Sequence, residues 1–285
     1  SARLRSTIPT ARGCADDAPV NGARLHLASR RARGAAMSLD FLSADLTQPH
    51  SGDEPLRRSP VRSVLNDAGA KFETRCGWEV AASFGEPVEE EQACLQTVGI
   101  GDRSSLGKLE LQGPLQTLDR LASELGGERP PPGQAAERDG LWWCPLRPDR
   151  LLVLVPPEST PTIRARLQDA AKPGDGSASV VDLTGSLGSN SVVGPLARET
   201  FARVSALDLR PGETEPGRFM PGSVARVPGM VLSQSANRYL HLFGAAYAEY
   251  IWTAFIDAAE ALGGRAVGAN ALAAVDAESG ANAVA

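Results

Sequence analysis

Two short polar clusters, one in each half of the chain, carry residue types that could bind a ligand or transfer a proton. In the first, Asp102 is followed by Ser104 and Lys108, and in the second Asp182 is followed by Thr184. Carboxylates, hydroxyls and ammonium groups at a strand end can exchange hydrogen bonds with a ligand. The same aspartates can instead cap a turn through their own backbone. All five are candidate cofactor-binding residues, with Asp102 as the sole candidate for catalysis and turn capping as the alternative.

Cysteine and histidine, which build metal sites and many nucleophilic sites, are thinly spread. The cysteines lie far apart, at Cys14, Cys76, Cys94 and Cys144. The histidines are equally separated, at His26, His50 and His241. This spacing fits neither a zinc site nor a disulfide scaffold, so we expect no metal and a reducing cytoplasm. Cys144 follows Trp142 and Trp143 on a predicted strand with no neighbouring base, which favours an inert core thiol over a nucleophile.

Acidic and glycine-rich segments offer no better site. Glu89, Glu90 and Glu91 lie on a predicted helix from about 87 to 96, where successive side chains diverge by about 100°. We therefore expect a solvated acidic first turn, favoured by the helix dipole, rather than a paired-carboxylate site. The glycine-rich segments at 174–177 and 185–189 lack the lysine and hydroxyl residue that end a phosphate-binding loop.

Composition narrows the class of protein. The chain has 285 residues, 42% of them hydrophobic, with a net charge of −5 and a pI near 5.4. Nucleic-acid binding depends on clustered basic residues that neutralise phosphates, so this acidic chain does not suit it. No apolar run approaches the roughly 18 residues of a membrane span, so we expect no membrane partner. The length predicts about two domains, large enough to bury a core without disulfides.

The first 59 residues differ in character from the rest. Residues 1–36 hold seven arginines and show no sustained apolar period. An arginine-rich, acid-poor leader is typical of an organelle transit peptide. Alternatively, Met37 is the true start and residues 1–36 are non-native or untranslated upstream sequence, which the preference for arginine over lysine favours. Residues 38–59 are polar and punctuated by proline and glycine, so we predict a flexible leader over 1–59.

The remainder contains one order of predicted elements twice. From Val98, two short strands separated by a turn lead to Gly113 and Pro114, and then to a helix with leucines at helical spacing. A proline-rich loop, further strands and a helix from Thr160 to about Ala171 complete the first copy.

The second copy begins near Ser179. Two strands again precede a Gly-Pro-Leu triplet, at 194–196, which lies 81 residues after its first occurrence. A helix, a proline- and glycine-rich loop, further strands and a helix over about 245–262 follow. The pattern predicts an α+β fold of two tandem ββα-ββα-type units, at 60–174 and 175–285.

Several short segments resemble proteins of one family. Four resemble the opening of the glycine-cleavage T-protein (aminomethyltransferase) family, at residues 69–72, 76–80, 89–91 and 99–108. Later segments resemble the gamma subunit of heterotetrameric sarcosine oxidase, a relative of the same fold, at 142–156, 181–184, 194–195, 207–209, 219–222 and Trp252. The segments are short, and their common order over about 58–280 makes the resemblance specific.

The resemblance implies a T-protein-like folate-binding fold, with departures at the ligand positions. The family's two folate-contacting carboxylates align with residues 142–144 and 235–237, and neither segment contains an acid. Ser105 replaces the motif histidine, and we expect no C-terminal barrel domain. A carboxylate on a pterin makes charge-assisted hydrogen bonds of about 1.5–3 kcal/mol each. We therefore expect tetrahydrofolate to bind weakly or not at all, unless Asp102 or Glu79 compensates.

The resemblance further implies a role in sarcosine or glycine one-carbon metabolism. The favoured interpretation is a non-catalytic subunit of a flavin- and folate-dependent amine oxidase complex, whose larger flavoprotein subunits are its partners. No cofactor would then be tightly bound by this chain, and tetrahydrofolate is the ligand to test. The alternative is a divergent tetrahydrofolate-dependent aminomethyltransferase. A standalone binding protein of the same fold is a third interpretation, because a fold alone does not decide function.

Overall fold

The structure is a computed structural model that describes residues 56–171 and 178–282. Most of the predicted leader over 1–59 therefore lies outside the described residues. Its last residues belong to the fold, because Arg57–Arg58 form a short strand, β1, and Ser59 is buried. Within the part of the chain that the structure describes, no helix is both long and apolar enough to cross a bilayer.

A small sheet precedes the repeated elements, in a region for which the sequence predicted no strands. Helix α1 (Arg62–Asp67) is followed by strands β2 (Lys71–Arg75) and β3 (Trp78–Ser83), which pair antiparallel. Cys76 and Gly77 join them with positive φ angles of 49° and 74°. Two consecutive residues in this region form the tight turn that matches the twist of a hairpin. Strand β1 pairs in parallel with β3 and completes the sheet.

The repeated elements follow helix α2 (Pro87–Gln96), whose bounds agree with the prediction. The first copy comprises β4 (Gly99–Asp102), β5 (Gly107–Gln112), α3 (Leu115–Glu124), β6 (Ala136–Arg138), β7 (Leu141–Arg147), β8 (Arg150–Val155) and α4 (Thr160–Ala170). The second comprises β9 (Ser179–Asp182), β10 (Leu187–Val193), α5 (Ala197–Val204), β11 (Phe219–Val224), β12 (Val227–Ser235), β13 (Arg238–Gly244) and α6 (Ala248–Glu260). Strand β14 (Arg265–Ala266) and helix α7 (Ala269–Asn282) end the described chain.

Each copy contributes its first strand to the sheet of the other copy. One sheet has the order β6–β7–β8–β5–β9, and the other has the order β11–β12–β13–β10–β4–β14. Strand β9 of the second copy thus pairs with β5, and β4 of the first copy pairs with β10. The register is equivalent, since Asp182 lies opposite Leu109 and Asp102 lies opposite Asn190. The two sets of elements are therefore interlocked, while their arrangement as two tandem units with a boundary near residue 174 stays a prediction.

The two large sheets pack face to face, with helices on their outer sides. Cys144 and Leu152 of one sheet contact the apolar cluster that contains Leu232 and Leu242 of the other. Helices α3 and α4 cover the outer face of the first sheet, and α5 and α6 cover that of the second. Trp143 is fully buried beneath α3 and α4. Trp142, which precedes Trp143 on β7 and points to the other face of the sheet, packs against the cluster between the sheets.

Glu90 corrects the expectation of a solvated acidic turn at the start of α2. Its side chain is buried, with 1% exposed. The carboxylate accepts hydrogen bonds from the backbone N–H groups of Phe84 at 2.6 Å, Gly85 at 3.0 Å and Gly268 at 2.6 Å. A Cβ atom at Gly268 would lie 2.1 Å from the carbonyl oxygen of Ala82. Glu90 therefore ties the end of β3 to the segment before α7, a contact that helical periodicity does not reveal.

Candidate functional site

A cleft of about 1020 Å³ opens at the edge of the two packed sheets. Its walls come from the β2–β3 hairpin, the β4–β5 turn, strands β7, β8 and β13, and helix α7. This volume is at the upper end of the range of ligand pockets, about 300–1,000 Å³. Within the described ranges, no group of three or more His, Cys, Asp or Glu side chains could hold a metal ion.

One side of the cleft is apolar. Trp142, Leu154, Pro156 and Leu240 line it, on strands β7, β8 and β13 and just beyond β8. Large apolar side chains beside a few polar groups are typical of small-molecule sites. The Trp142 side chain, which faces away from the helix-covered core, therefore contributes to a ligand-sized surface.

Six charged residues also line the cleft: Arg75, Arg103, Arg238, Glu73, Glu158 and Asp276. Four of them form two internal pairs. Arg75 donates to the Glu73 carboxylate at 2.6 Å, and Arg238 forms an ion pair with Asp276 of α7. Burial and, to a smaller extent, the nearby charge of Arg103 lower the pKa of Arg238 to about 10. Arg103 and Glu158 are left without such a pair.

Arg103 presents its guanidinium to the cleft from a fixed backbone. Its N–H donates to the Ser189 carbonyl at 2.8 Å, and the Ser189 hydroxyl donates to its carbonyl at 2.7 Å. Among the residues that the structure describes, no hydrogen bond or ion pair engages the guanidinium itself. Burial lowers the pKa of Arg103, and the charges of Asp102 and Glu158 oppose that shift. The side chain is thus a half-buried cation whose donors have no partner among the described residues.

The five residues predicted from the sequence come together behind this cleft rather than on its wall. We call Asp102, Ser104, Lys108, Asp182 and Thr184 the crossover cluster, because they lie where β4 and β9 pass into the opposite sheets. The lining of the cleft consists of other side chains. A cofactor-binding role for the crossover cluster stays a prediction.

Hydrogen bonds within the crossover cluster agree with the turn-capping alternative. The Asp102 carboxylate accepts from the Ser104 N–H at 3.0 Å, and Asp182 accepts from the Thr184 N–H at the same distance. The Thr184 hydroxyl in turn accepts from the Lys108 N–H at 3.1 Å. Each aspartate therefore shapes the turn that follows its strand.

Lys108 is a fully buried cation within the same cluster. Its ammonium group donates to the carbonyls of Ser104 at 3.0 Å and Leu106 at 2.9 Å. Burial lowers the pKa of Lys108 to about 7, although Asp102 and Asp182 act in the opposite direction. Lys108 therefore closes the β4–β5 turn from the inside, and that turn carries Arg103.

The two aspartates have opposite pKa shifts. Burial raises the pKa of Asp102, against the hydrogen bonds from Ser104 and Ser59. Burial also acts to raise the pKa of Asp182, but hydrogen bonds from Thr184 and the ion pair with Arg164 at 3.1 Å together lower it. The folded chain therefore favours the charged form of Asp182 and disfavours that of Asp102.

The remaining candidate groups offer no reactive chemistry. Burial raises the pKa of the Cys144 thiol well above its usual range, as an inert core thiol requires. His241 is also buried, and burial lowers its pKa to about 3, so the imidazole is neutral at pH 7. Glu79, a suggested substitute for the missing carboxylates, pairs with Arg62 at 2.7 Å.

Sequence reasoning missed Arg103, Arg238 and Glu158 as residues of the cleft. The sequence held one signal for the cleft: Arg103 lies between Asp102 and Ser104, two of the predicted site residues. Trp142 and Arg238, in or next to the segments that align with the family's folate-contacting acids, do line the cleft. Those segments therefore lie at a ligand-sized surface, and an arginine lies beside the second of them.

Comparisons with solved structures define the fold. The chain matches one chain of the heterotetrameric sarcosine oxidase from Corynebacterium sp. U-96 in complex with pyrrole 2-carboxylate, with a TM-score of 0.56 and 20% identity over 72% of this chain and 96% of that chain. It also matches the glycine cleavage system aminomethyltransferase T from Bartonella henselae, with a TM-score of 0.59 and 16% identity over 76% of this chain and 60% of that chain. The chain has a T-protein-like fold.

Sequence comparisons agree over a shorter stretch. The aminomethyltransferase of Parasynechococcus marenigrum (strain WH8102) is 34% identical over 59 residues, which are 21% of this chain and 16% of that protein. That of Prochlorococcus marinus (strain MIT 9303) is 35% identical over 68 residues, 23% of this chain and 18% of that protein. The matches thus span less than a fifth of these relatives. No family model matches the chain.

Proposed function

We propose that this chain is a non-catalytic subunit of a flavin- and folate-dependent amine oxidase complex in the cytoplasm. The observation that carries the proposal is the extent of the structural match. Superposition takes in 96% of one chain of a heterotetrameric sarcosine oxidase but 60% of an aminomethyltransferase T chain. The partners would be larger flavoprotein subunits that act on sarcosine or a related amine.

The polar groups of the cleft support a subunit without its own folate chemistry. A pterin presents amide and amino donors, which a carboxylate can accept in a bidentate way. The aligned positions at 142–144 and 235–237 hold no acid, and the adjoining Arg238 offers donors instead. Two of the three carboxylates on the cleft wall, Glu73 and Asp276, are already paired with arginines.

Co-expression with the neighbouring reading frames tests the subunit proposal. We expect affinity-purified chain to retain partners that carry visible flavin absorbance, and the complex to consume oxygen with sarcosine. The chain expressed alone should show no oxidase activity. Elution of the chain as a single species in the presence of its neighbours' products would contradict the proposal.

A tetrahydrofolate-dependent aminomethyltransferase is the second candidate, favoured by the local identity of 34–35% to two aminomethyltransferases. Calorimetric titration of the isolated chain with tetrahydrofolate separates the candidates. Losing two charge-assisted contacts would weaken a micromolar site to a millimolar one, since each 1.4 kcal/mol is about tenfold. We expect no saturation at micromolar concentration. Micromolar binding that Asp102→Ala abolishes would favour the transferase.

A further inference from the structure

We propose that the cleft binds the carboxylate of an organic acid through the guanidinium of Arg103, with the apolar body of the acid against Trp142. The inference rests on the cleft alone and holds for either candidate function. It goes beyond the resemblance, which implies a site built from carboxylates.

The first step of the argument is the unused donors of Arg103. A guanidinium taken out of water is costly unless an anion or other acceptors replace its hydration. Arg103 is half-buried on the cleft wall, and the described part of the chain supplies no hydrogen-bond acceptor for its guanidinium. A carboxylate matches the planar donor fork of arginine in a bidentate arrangement. A bound acid would therefore complete the local hydrogen bonding.

The second step is preorganisation. Two hydrogen bonds with Ser189 hold the Arg103 backbone, and Lys108 closes the same turn through the carbonyls of Ser104 and Leu106. A guanidinium on a fixed turn loses less conformational freedom on binding than one on a flexible loop. The turn is thus built as a support for the side chain that it carries.

The third step is the charge of the cleft, which favours one negative charge over two. Arg75 is neutralised by Glu73, and Arg238 is neutralised by Asp276. Among the described residues, Arg103 is then the lining cation without an ion pair. The exposed Glu158, whose charge acts on Arg103, makes the lining neutral overall, and a second negative charge on a ligand is therefore disfavoured. A monocarboxylate fits this balance better than a phosphate dianion.

The fourth step is the apolar wall beside the charge. Trp142 and Pro156, both half-buried, line the same cleft as Arg103, together with Leu154 and Leu240, which are almost fully buried. Apolar contact area supplies affinity and a charged group fixes orientation in typical ligand sites. The ligand class is therefore an aromatic or otherwise apolar monocarboxylic acid.

Calorimetric titration of the full chain with 2-naphthoate tests the proposal, with the uncharged 2-naphthamide as the matched probe. We expect saturable binding of the acid and binding of the amide that is about tenfold weaker or more. Arg103→Met keeps the length of the side chain and removes its charge, and should weaken 2-naphthoate to the level of the amide. Arg210→Met, which changes an exposed arginine paired with Asp208 outside the cleft, should leave binding unchanged.

A variant of Glu158 should change the affinity for 2-naphthoate in the opposite direction. Glu158→Gln removes a like charge at the cleft and should tighten 2-naphthoate about two- to fivefold. Circular dichroism and thermal melting verify that each variant is folded. Equal affinity for acid and amide, unchanged binding in Arg103→Met, or no saturation up to the solubility limit would overturn the proposal. Tighter binding of inorganic phosphate than of 2-naphthoate would overturn the assignment to a carboxylate.

Discussion

The two strand crossovers of this molecule have the same backbone contacts and different charges. At the first, Ser104 accepts a hydrogen bond from the Ser189 N–H, and at the second Thr184 accepts one from the Lys108 N–H. The backbone pairs are equally matched, since the Arg103 N–H donates to Ser189 and the Leu183 N–H donates to Lys108. Both crossovers therefore share an aspartate and a hydroxyl two residues later, with equivalent hydrogen bonds.

The two crossovers differ in side chains at positions where their backbone hydrogen bonds are the same. Arg103 of the first crossover occupies the place of Leu183 in the second, and Lys108 occupies the place of Ser189. Arg103 lies on the β4–β5 turn and lines the cleft, and Lys108, at the start of β5, donates hydrogen bonds to carbonyls of that turn. The hydrogen bonds that both crossovers share therefore maintain the fold. The charges present only at the first crossover lie on the side where a ligand would bind.

The largest expected difference in stability between the crossovers comes from replacing Lys108 in one and Ser189, its equivalent, in the other. Lys108→Met keeps an apolar stem but leaves two carbonyls without their donor, so we expect a loss of about 2–4 kcal/mol in the free energy of unfolding at pH 9. Ser189→Ala should cost about 1 kcal/mol, for one hydroxyl hydrogen bond. Chemical denaturation of both variants measures the difference, and equal losses would contradict a special role for the buried amino group of Lys108.

The pH dependence sharpens this prediction. The pKa of Lys108 is about 7 in the folded chain, below its ordinary value of 10.5. Between these values the unfolded chain binds more protons, so wild-type stability should rise with pH by at most about 1.4 kcal/mol per unit. Lys108→Met should flatten that rise, and its destabilisation should therefore be smaller at pH 6 than at pH 9. A parallel pH profile in the variant would show that Lys108 does not titrate there.

The next difference is between the two aspartates. Asp182 accepts from the Thr184 N–H and pairs with Arg164, which lowers its pKa, so Asp182→Asn should reduce stability at pH 7 by about 1–2 kcal/mol. Because the pKa of Asp102 is raised, Asp102→Asn should cost less or stabilise. Charged Asp182 stabilises the fold, and this contribution is lost as the pH falls through the pKa of Asp182 in the folded chain. Protonated Asp102 is favoured in the folded chain, and its contribution is lost as the pH rises through the folded pKa of Asp102. Melting curves at pH 7 and pH 3 should show the two variants converging in acid.

These crossovers mark how far the sequence could predict the structure. Periodicity and stop signals predicted helices α2 and α4, because these depend on neighbouring residues. The Gly-Pro-Leu triplets correctly indicated two helices that follow a strand. The exchange of β4 and β9 could not be predicted, because pairing across about 80 residues leaves no mark on local alternation.

The candidate site was less predictable than the fold, for the same physical reason. The five predicted residues do come together, but the hydroxyl and carboxylate pattern that marked them is also that of a capped turn. Arg103 and Glu158 meet at one cleft only because of the tertiary fold. The burial of Glu90 likewise depends on backbone N–H groups from two distant segments. Residue type alone cannot distinguish these cases from solvated charges.

The smallest expected difference in stability is between variants of Ser104 and Thr184. These two residues make equivalent hydrogen bonds at the two crossovers. Both side chains are buried, and each hydroxyl accepts one backbone N–H from the opposite copy. Ser104→Ala and Thr184→Val each leave one such N–H unsatisfied, which costs about 1–3 kcal/mol. We therefore expect nearly equal losses of stability, measured by chemical denaturation at pH 7. A loss confined to one variant would mean that the two crossovers share their geometry but not their energetics, because the hydroxyl would then be dispensable on one side.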